Sequence, residues 1–140
     1  MGKFSDAITH FLDDYRSADQ AGDRERLLLL FAPAFLAGDV NGTQAVTREQ
    51  FAMGLDLRAR TFAAQGLVGS QLLAHEHRSF GPVLAMLSTT WSLDFVRLGG
   101  QPVSVVTESD FLLHVTAGAV QVIAYIARQD VGAAISEALS

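Results

Sequence analysis

His75 and His77 flank Glu76, and on an extended strand both imidazoles point to one face. Two imidazoles so placed could share a metal, with a third ligand from His114 or Glu108. The same run suits a strand end approaching solvent, with Arg78 following, and so common a spacing specifies no metal by itself. No metal and no cofactor are expected. Glu108 and Asp110 also share a strand face, and two carboxylates turned into an apolar interior would be costly unless paired. One of them is therefore expected near a pocket mouth, or bonded to Tyr15 or an arginine. Trp91 is the only tryptophan; it suits a pocket wall, an interface or ordinary core, and strand parity does not decide between them. With no cysteine in the chain, disulfides, thiolate metal sites and a cysteine nucleophile are excluded.

The elements that would position these residues form one domain, 1-140. Apolar residues make up 49% of the sequence and charged residues 18%, which is a globular and not a disordered composition. The formal net charge of -5 and the scattered basic residues argue against nucleic acid or an anionic membrane as partner. The longest strong apolar run, Leu27 to Leu36, is too short to span a bilayer and contains Pro33. Met1 to Leu12 carries Asp6 and His10 where a signal peptide needs an unbroken apolar stretch, so a cytoplasmic location is expected.

Phe4, Ile8, Phe11, Leu12, Tyr15 and Ala18 recur at helical spacing, and Gly22 stops this first helix. Asp23 is a suitable N-cap for a second helix through Leu27 to Phe31, ending at Pro33. Asn41-Gly42 predicts a hairpin within Phe35 to Val46. Thr47 and Gln50 have the capping-box form, with Val46 and Phe51 at the staple positions, so a third helix starts there. Phe51, Leu55, Arg58 or Ala59, and Phe62 carry it to Gly66. The period then changes to two. Strands are expected at Val68 to Phe80, Val83 to Leu98, Val103 to Val115 and Val120 to Gln129. Gly81-Pro82, Gly99-Gly100 and Ala117-Gly118 mark the turns of an antiparallel meander, and Val131 to Leu139 suits a short closing helix.

Helices followed by strands are the α+β pattern. Val83 to Val96 and Val120 to Ala127 are apolar on both faces. Such a sheet needs cover on both sides, one from the helices and the other from a second copy of the chain. A homodimer through the outer sheet face is therefore expected.

This order of elements resembles the nuclear transport factor 2-like superfamily, particularly its small SnoaL-like members. The residues behind the resemblance are Tyr15 with Gly22-Asp23, Leu30 to Pro33, Asn41-Gly42, Thr47-Arg48-Glu49 and the last strand Val122 to Ile126. It covers nearly the whole chain. It implies a cone-shaped, curved antiparallel sheet wrapped on three N-terminal helices, a cystatin-like roll with an interior pocket. Such a pocket would bind a small apolar molecule, lined by residues such as Phe11, Phe35, Trp91, Leu112, His75 and His77. Relatives of this kind include isomerases, dehydratases and cyclases, and also non-catalytic dimeric modules, so fold alone does not choose between them.

At three places the chain is similar to the ketosteroid isomerases. Tyr15 lies on the first helix shortly before Gly22-Asp23, Asp39 follows a short strand after the Phe-Ala of the second helix, and Asp110 follows Val105-Val106. The resemblance implies that Tyr15 and a protonated Asp110 donate to an enolate, with Asp39 as base. Two departures are plain: Val40 stands where those enzymes have proline, and the next loop is shorter. Asp39 also suits simple shaping of the Asn41-Gly42 turn. A similarity to scytalone dehydratases would let one pocket-facing histidine act as acid or base. Asp110 is expected to share a cavity with Tyr15 and to titrate above an ordinary aspartate, because Phe111, Leu112 and Leu113 surround it and the arginines are expected outside.

Overall fold

In the computed structural model of the protein, the residues described are 2–97, 99–117 and 119–140. Met1, Leu98 at the end of the second expected long strand, and Gly118 of the Ala117-Gly118 turn lie outside them. Helix α1, Gly2–Ala21, buries Ile8, Phe11, Leu12 and Ala18 along one stripe. Gly22, at φ 66°, takes the left-handed conformation that ends it. The Asp23 side chain then accepts from the Arg26 amide at 3.2 Å and starts α2, Arg24–Leu29.

The second helix was expected to reach Pro33, but strand β1, Phe31–Asp39, begins two residues after α2 ends. The apolar run from Leu27 to Phe35 is shared between the two elements. Leu27 is buried from the helix, and Phe31 and Phe35 from the strand. Apolar continuity does not distinguish a buried helix from a buried strand. Tertiary bonds decide the break: the Leu30 carbonyl accepts from the Val122 amide at 2.8 Å. The Phe31 carbonyl accepts from Arg48 Nε at 2.8 Å and Nη2 at 2.6 Å.

β2, Gly42–Thr47, completes the hairpin. The Thr47 hydroxyl accepts from the Gln50 amide at 3.2 Å, and the Gln50 side chain accepts from the Thr47 amide at 2.9 Å. This closed capping box starts α3, Arg48–Ala64. Gly66, at φ 99°, leads into β3, Leu67–Phe80, which is followed by β4, Leu84–Val96, β5, Pro102–Thr116, β6, Ala119–Ala127, and the closing helix α4, Val131–Leu139.

The six strands form one sheet in the order β2-β1-β6-β5-β4-β3. β3 to β6 make the expected antiparallel meander, whereas β1 joins β6 in parallel. The fold is therefore α+β, with N-terminal helices on a mostly antiparallel mixed sheet. On its inner face Leu87, Phe111, Leu113 and Val122 pack against Ile8, Phe11 and Leu12. A smaller cluster, Phe62, Leu93, Phe95 and Val105, closes around Ile135 of α4, which is fully buried. On the outer face Met86, Leu112, Ala124 and Ile126 are half-buried, and Leu36 is exposed. No described helix is long and apolar enough to cross a membrane.

Candidate functional site

Between the two core clusters the helices stand away from the sheet and leave a cavity of about 210 Å³. α1 contributes Tyr15 and Asp19, which are one turn apart and therefore share a helix face. α3 contributes Leu55, Arg58, Ala59 and Phe62, again at helical spacing. The sheet supplies Trp91, Leu93, Thr107, Ser109, Tyr125 and Ala127, while Leu27 and Val131 come from α2 and α4.

One wall is aromatic. The Trp91 ring centroid lies 5.9 Å from that of Tyr15, and Tyr15 meets Phe111 edge-on at 5.4 Å. The Trp91 indole nitrogen donates to Thr89 Oγ1 at 2.9 Å. The Thr89 hydroxyl in turn donates to the Ser109 carbonyl at 3.0 Å. The indole is thereby held flat on the inner sheet face with its donor satisfied.

The lining also carries polar groups. The Arg58 guanidinium packs over the Phe62 ring at 5.0 Å and projects into the cavity. Burial opposes its charge, yet Tyr125, Tyr15 and Asp19 beside it outweigh burial and hold its pKa above the ordinary arginine value. Burial pushes the Tyr15 phenol well up, and the nearby Tyr125 and Asp19 add to this against Arg58. Asp19 lies at the mouth, where solvent still reaches it. Burial raises its carboxyl, partly countered by Ser70, whose hydroxyl donates to it at 3.4 Å, and by Arg58. Arg24, also at the mouth, is paired with Asp56.

Of the residues singled out from the sequence, Tyr15 and Trp91 line this cavity. Asp39 and Asp110 do not join them. The Asp39 carboxylate accepts from the Asn41 amide at 2.8 Å and shapes the hairpin turn. Asp110 shares a face with Leu112, as period two requires, but that face is the outer one, opposite Ser88 and Ile126. There it accepts from Arg128 Nη2 and Nε, both at 2.9 Å, and from the Ser88 hydroxyl at 2.7 Å. The Arg128 bond, with Ser88 adding to it against desolvation, holds the Asp110 carboxyl below the ordinary aspartate range. The expectation of a neutral Asp110 in a cavity is thus reversed in both position and titration, because an arginine was available on that face.

Phe11 and Phe35 are buried in the main core rather than at the cavity, Phe11 against Phe111 and Phe35 against Phe31 and Phe51. Leu112 is on the outer face. His75 and His77 pair with Thr89 and Leu87 on the inner side of β3, but both are exposed and stand beyond the cavity. Of their proposed third ligands, His114 belongs to the outer face, and Glu108, which borders the cavity from a position in register with the outer face, meets Arg128 at 3.4 Å. No cluster of three or more metal-ligating side chains occurs among the described residues. The sequence reading missed Asp19, Arg58 and Tyr125. A signal existed for Arg58: it stands in the apolar row of α3 that runs from Leu55 to Phe62.

No family model matches the sequence, and no curated protein matches it. Solved structures are similar over most of the chain. An NTF2-like protein of unknown function from Shewanella oneidensis is 12% identical with a TM-score of 0.69, covering 89% of this chain and 98% of the other. An NTF2-like protein with a cystatin-like fold from Novosphingobium aromaticivorans is 19% identical with a TM-score of 0.68, covering 94% and 85%. An NTF2-like superfamily protein from Salmonella enterica is 14% identical with a TM-score of 0.64, covering 89% of each. At these identities the likeness concerns the fold.

Proposed function

We propose that this chain, which has the NTF2-like, cystatin-like fold, binds a small and mostly apolar molecule in the cavity between its helices and sheet. The observation that carries the reading is the cavity's mixed lining. Trp91, Leu27 and Leu93 give it aromatic and aliphatic surface, and Tyr15, Arg58 and Tyr125 add a few polar groups. Specific small-molecule sites combine an apolar body with a few converging polar groups in this way. Isomerase, dehydratase or cyclase chemistry through Tyr15, Asp39 and Asp110 is disfavoured, since two of the three groups are engaged elsewhere. Native mass spectrometry of protein exposed to a metabolite extract tests the reading. A retained small molecule that shifts Trp91 emission supports it; an empty protein with unmoved emission overturns it.

A second reading, a dimeric interaction module, draws on the outer face. Met86, Leu112, Ala124 and Ile126 adjoin one another across β4, β5 and β6 there, with Leu36 beside them on β1. A second copy of the chain would cover them by an isologous contact. Light scattering at micromolar concentration tests this, and a clean monomer refutes it.

A further inference from the structure

We propose that the cavity takes a monocarboxylic acid, its carboxylate against Arg58 between Tyr15 and Tyr125, its apolar body along Trp91. This inference rests on the pocket reading above and names the ligand's chemical class. The first ground is the state of Arg58. Among the described residues no carboxylate lies within ion-pair distance of its guanidinium, whereas Arg24 is paired with Asp56 and Arg128 with Asp110 and Glu108. Tyr125 engages the guanidinium from one side, and with five N–H donors and no salt-bridge partner its planar fork still has donors to offer a carboxylate.

The second ground is the balance of donors and acceptors around Arg58. The Tyr15 and Tyr125 hydroxyls can donate beside the guanidinium, and phenols carry no formal charge at neutral pH. Glu108 borders the cavity, but its carboxylate is engaged by Arg128. Asp19 is the remaining carboxylate, and its hydroxyl donor is Ser70. Among the described residues Arg58 is the cavity's one guanidinium without an ion-pair partner, which fits a monoanion; a phosphate dianion would need more positive charge than these residues supply. The third ground is size and polarity. A cavity of about 210 Å³ with Trp91, Leu27, Leu93 and Phe62 on its walls favours an acid with an apolar body over one of sugar type.

Asp19 gives the proposal an opposite-signed control. Its negative charge lies near Arg58 without pairing with it and repels an incoming carboxylate, so removing that charge helps an acid more than its neutral analogue. The experiment uses the full chain and follows Trp91 emission, supported by calorimetry. The probes are octanoate, cyclohexanecarboxylate and phenylacetate with their matched primary amides. At least one acid is expected to bind about tenfold or more tighter than its amide, the size of a charge-assisted bond made inside protein. Arg58→Gln removes the difference, and Asp19→Asn, which keeps Arg58, tightens the acid severalfold relative to its amide. Amides that bind as well as acids overturn the acid class and leave the pocket reading intact. Asp19→Asn weakening the acid overturns it as well. No response to either series overturns the acid class, while the extract experiment above decides the pocket reading separately.

Discussion

Filling the cavity should stabilise the fold and remove ligand binding together. Ala127, on β6, is 9% exposed and lines the cavity, so Ala127→Leu directs a larger side chain into it. Leucine adds three carbon groups to alanine, and burying them contributes about 2.4 kcal/mol at the usual value per methylene. Fixing the longer side chain costs about 0.5–1 kcal/mol in rotamer freedom. A net gain of roughly 1.5 kcal/mol remains. With an unfolding entropy near 2.1 cal/mol/K per residue, the melting temperature should rise by about 5 °C for a chain of this length. Circular dichroism melts measure the gain, and Trp91 emission measures the loss of response to a ligand identified on the unmodified protein. Overpacking a filled core instead destabilises by about 1–3 kcal/mol. A variant that melts lower than the parent would therefore refute the cavity, and one that melts higher but still binds would refute its role as the binding site.

Thr47→Ala leaves the Gln50 amide without its acceptor and should cost about 1 kcal/mol; the urea midpoint reports it, and no shift would mean the capping box carries no stability. Asp110 titrates below an ordinary aspartate because Arg128 and Ser88 bond its charged form. Its stabilisation is thus fully present above the unfolded pKa, near 3.9, and is lost as pH falls through the lower folded value. Carboxyl NMR should show this depression largely abolished in Arg128→Gln, and an unchanged titration would refute the assignment. Gly66→Ala would place a Cβ 2.3 Å from the Val96 carbonyl oxygen at φ 99°, so a loss of about 1–3 kcal/mol or more is expected in denaturant melts. A variant as stable as the parent would show that this close approach is not required.

Local features of this chain were legible because they depend on neighbours in sequence. The Thr47 capping box, the Asp23 N-cap, the Gly22 stop and the Asn41-Gly42 turn each involve residues no more than a few positions apart. The period-two run correctly put Glu108 and Asp110 on one strand face. The order of helices and strands was enough to anticipate an α+β roll. The parallel join of β1 to β6 was not legible, because it unites segments about ninety residues apart. Nor was the side of the sheet that the helices cover. Periodicity defines two faces and leaves them equivalent when both are apolar, as in Leu84 to Val96. Tertiary packing placed Phe111 and Trp91 inside and left Asp110 outside with Arg128. It also brought Asp19 and Arg58, from two different helices, to the same cavity as Tyr125 on β6. Arg58 stands out in the apolar row of α3, but only the packing of α1 and α3 over the sheet makes it a neighbour of Asp19 and Tyr125.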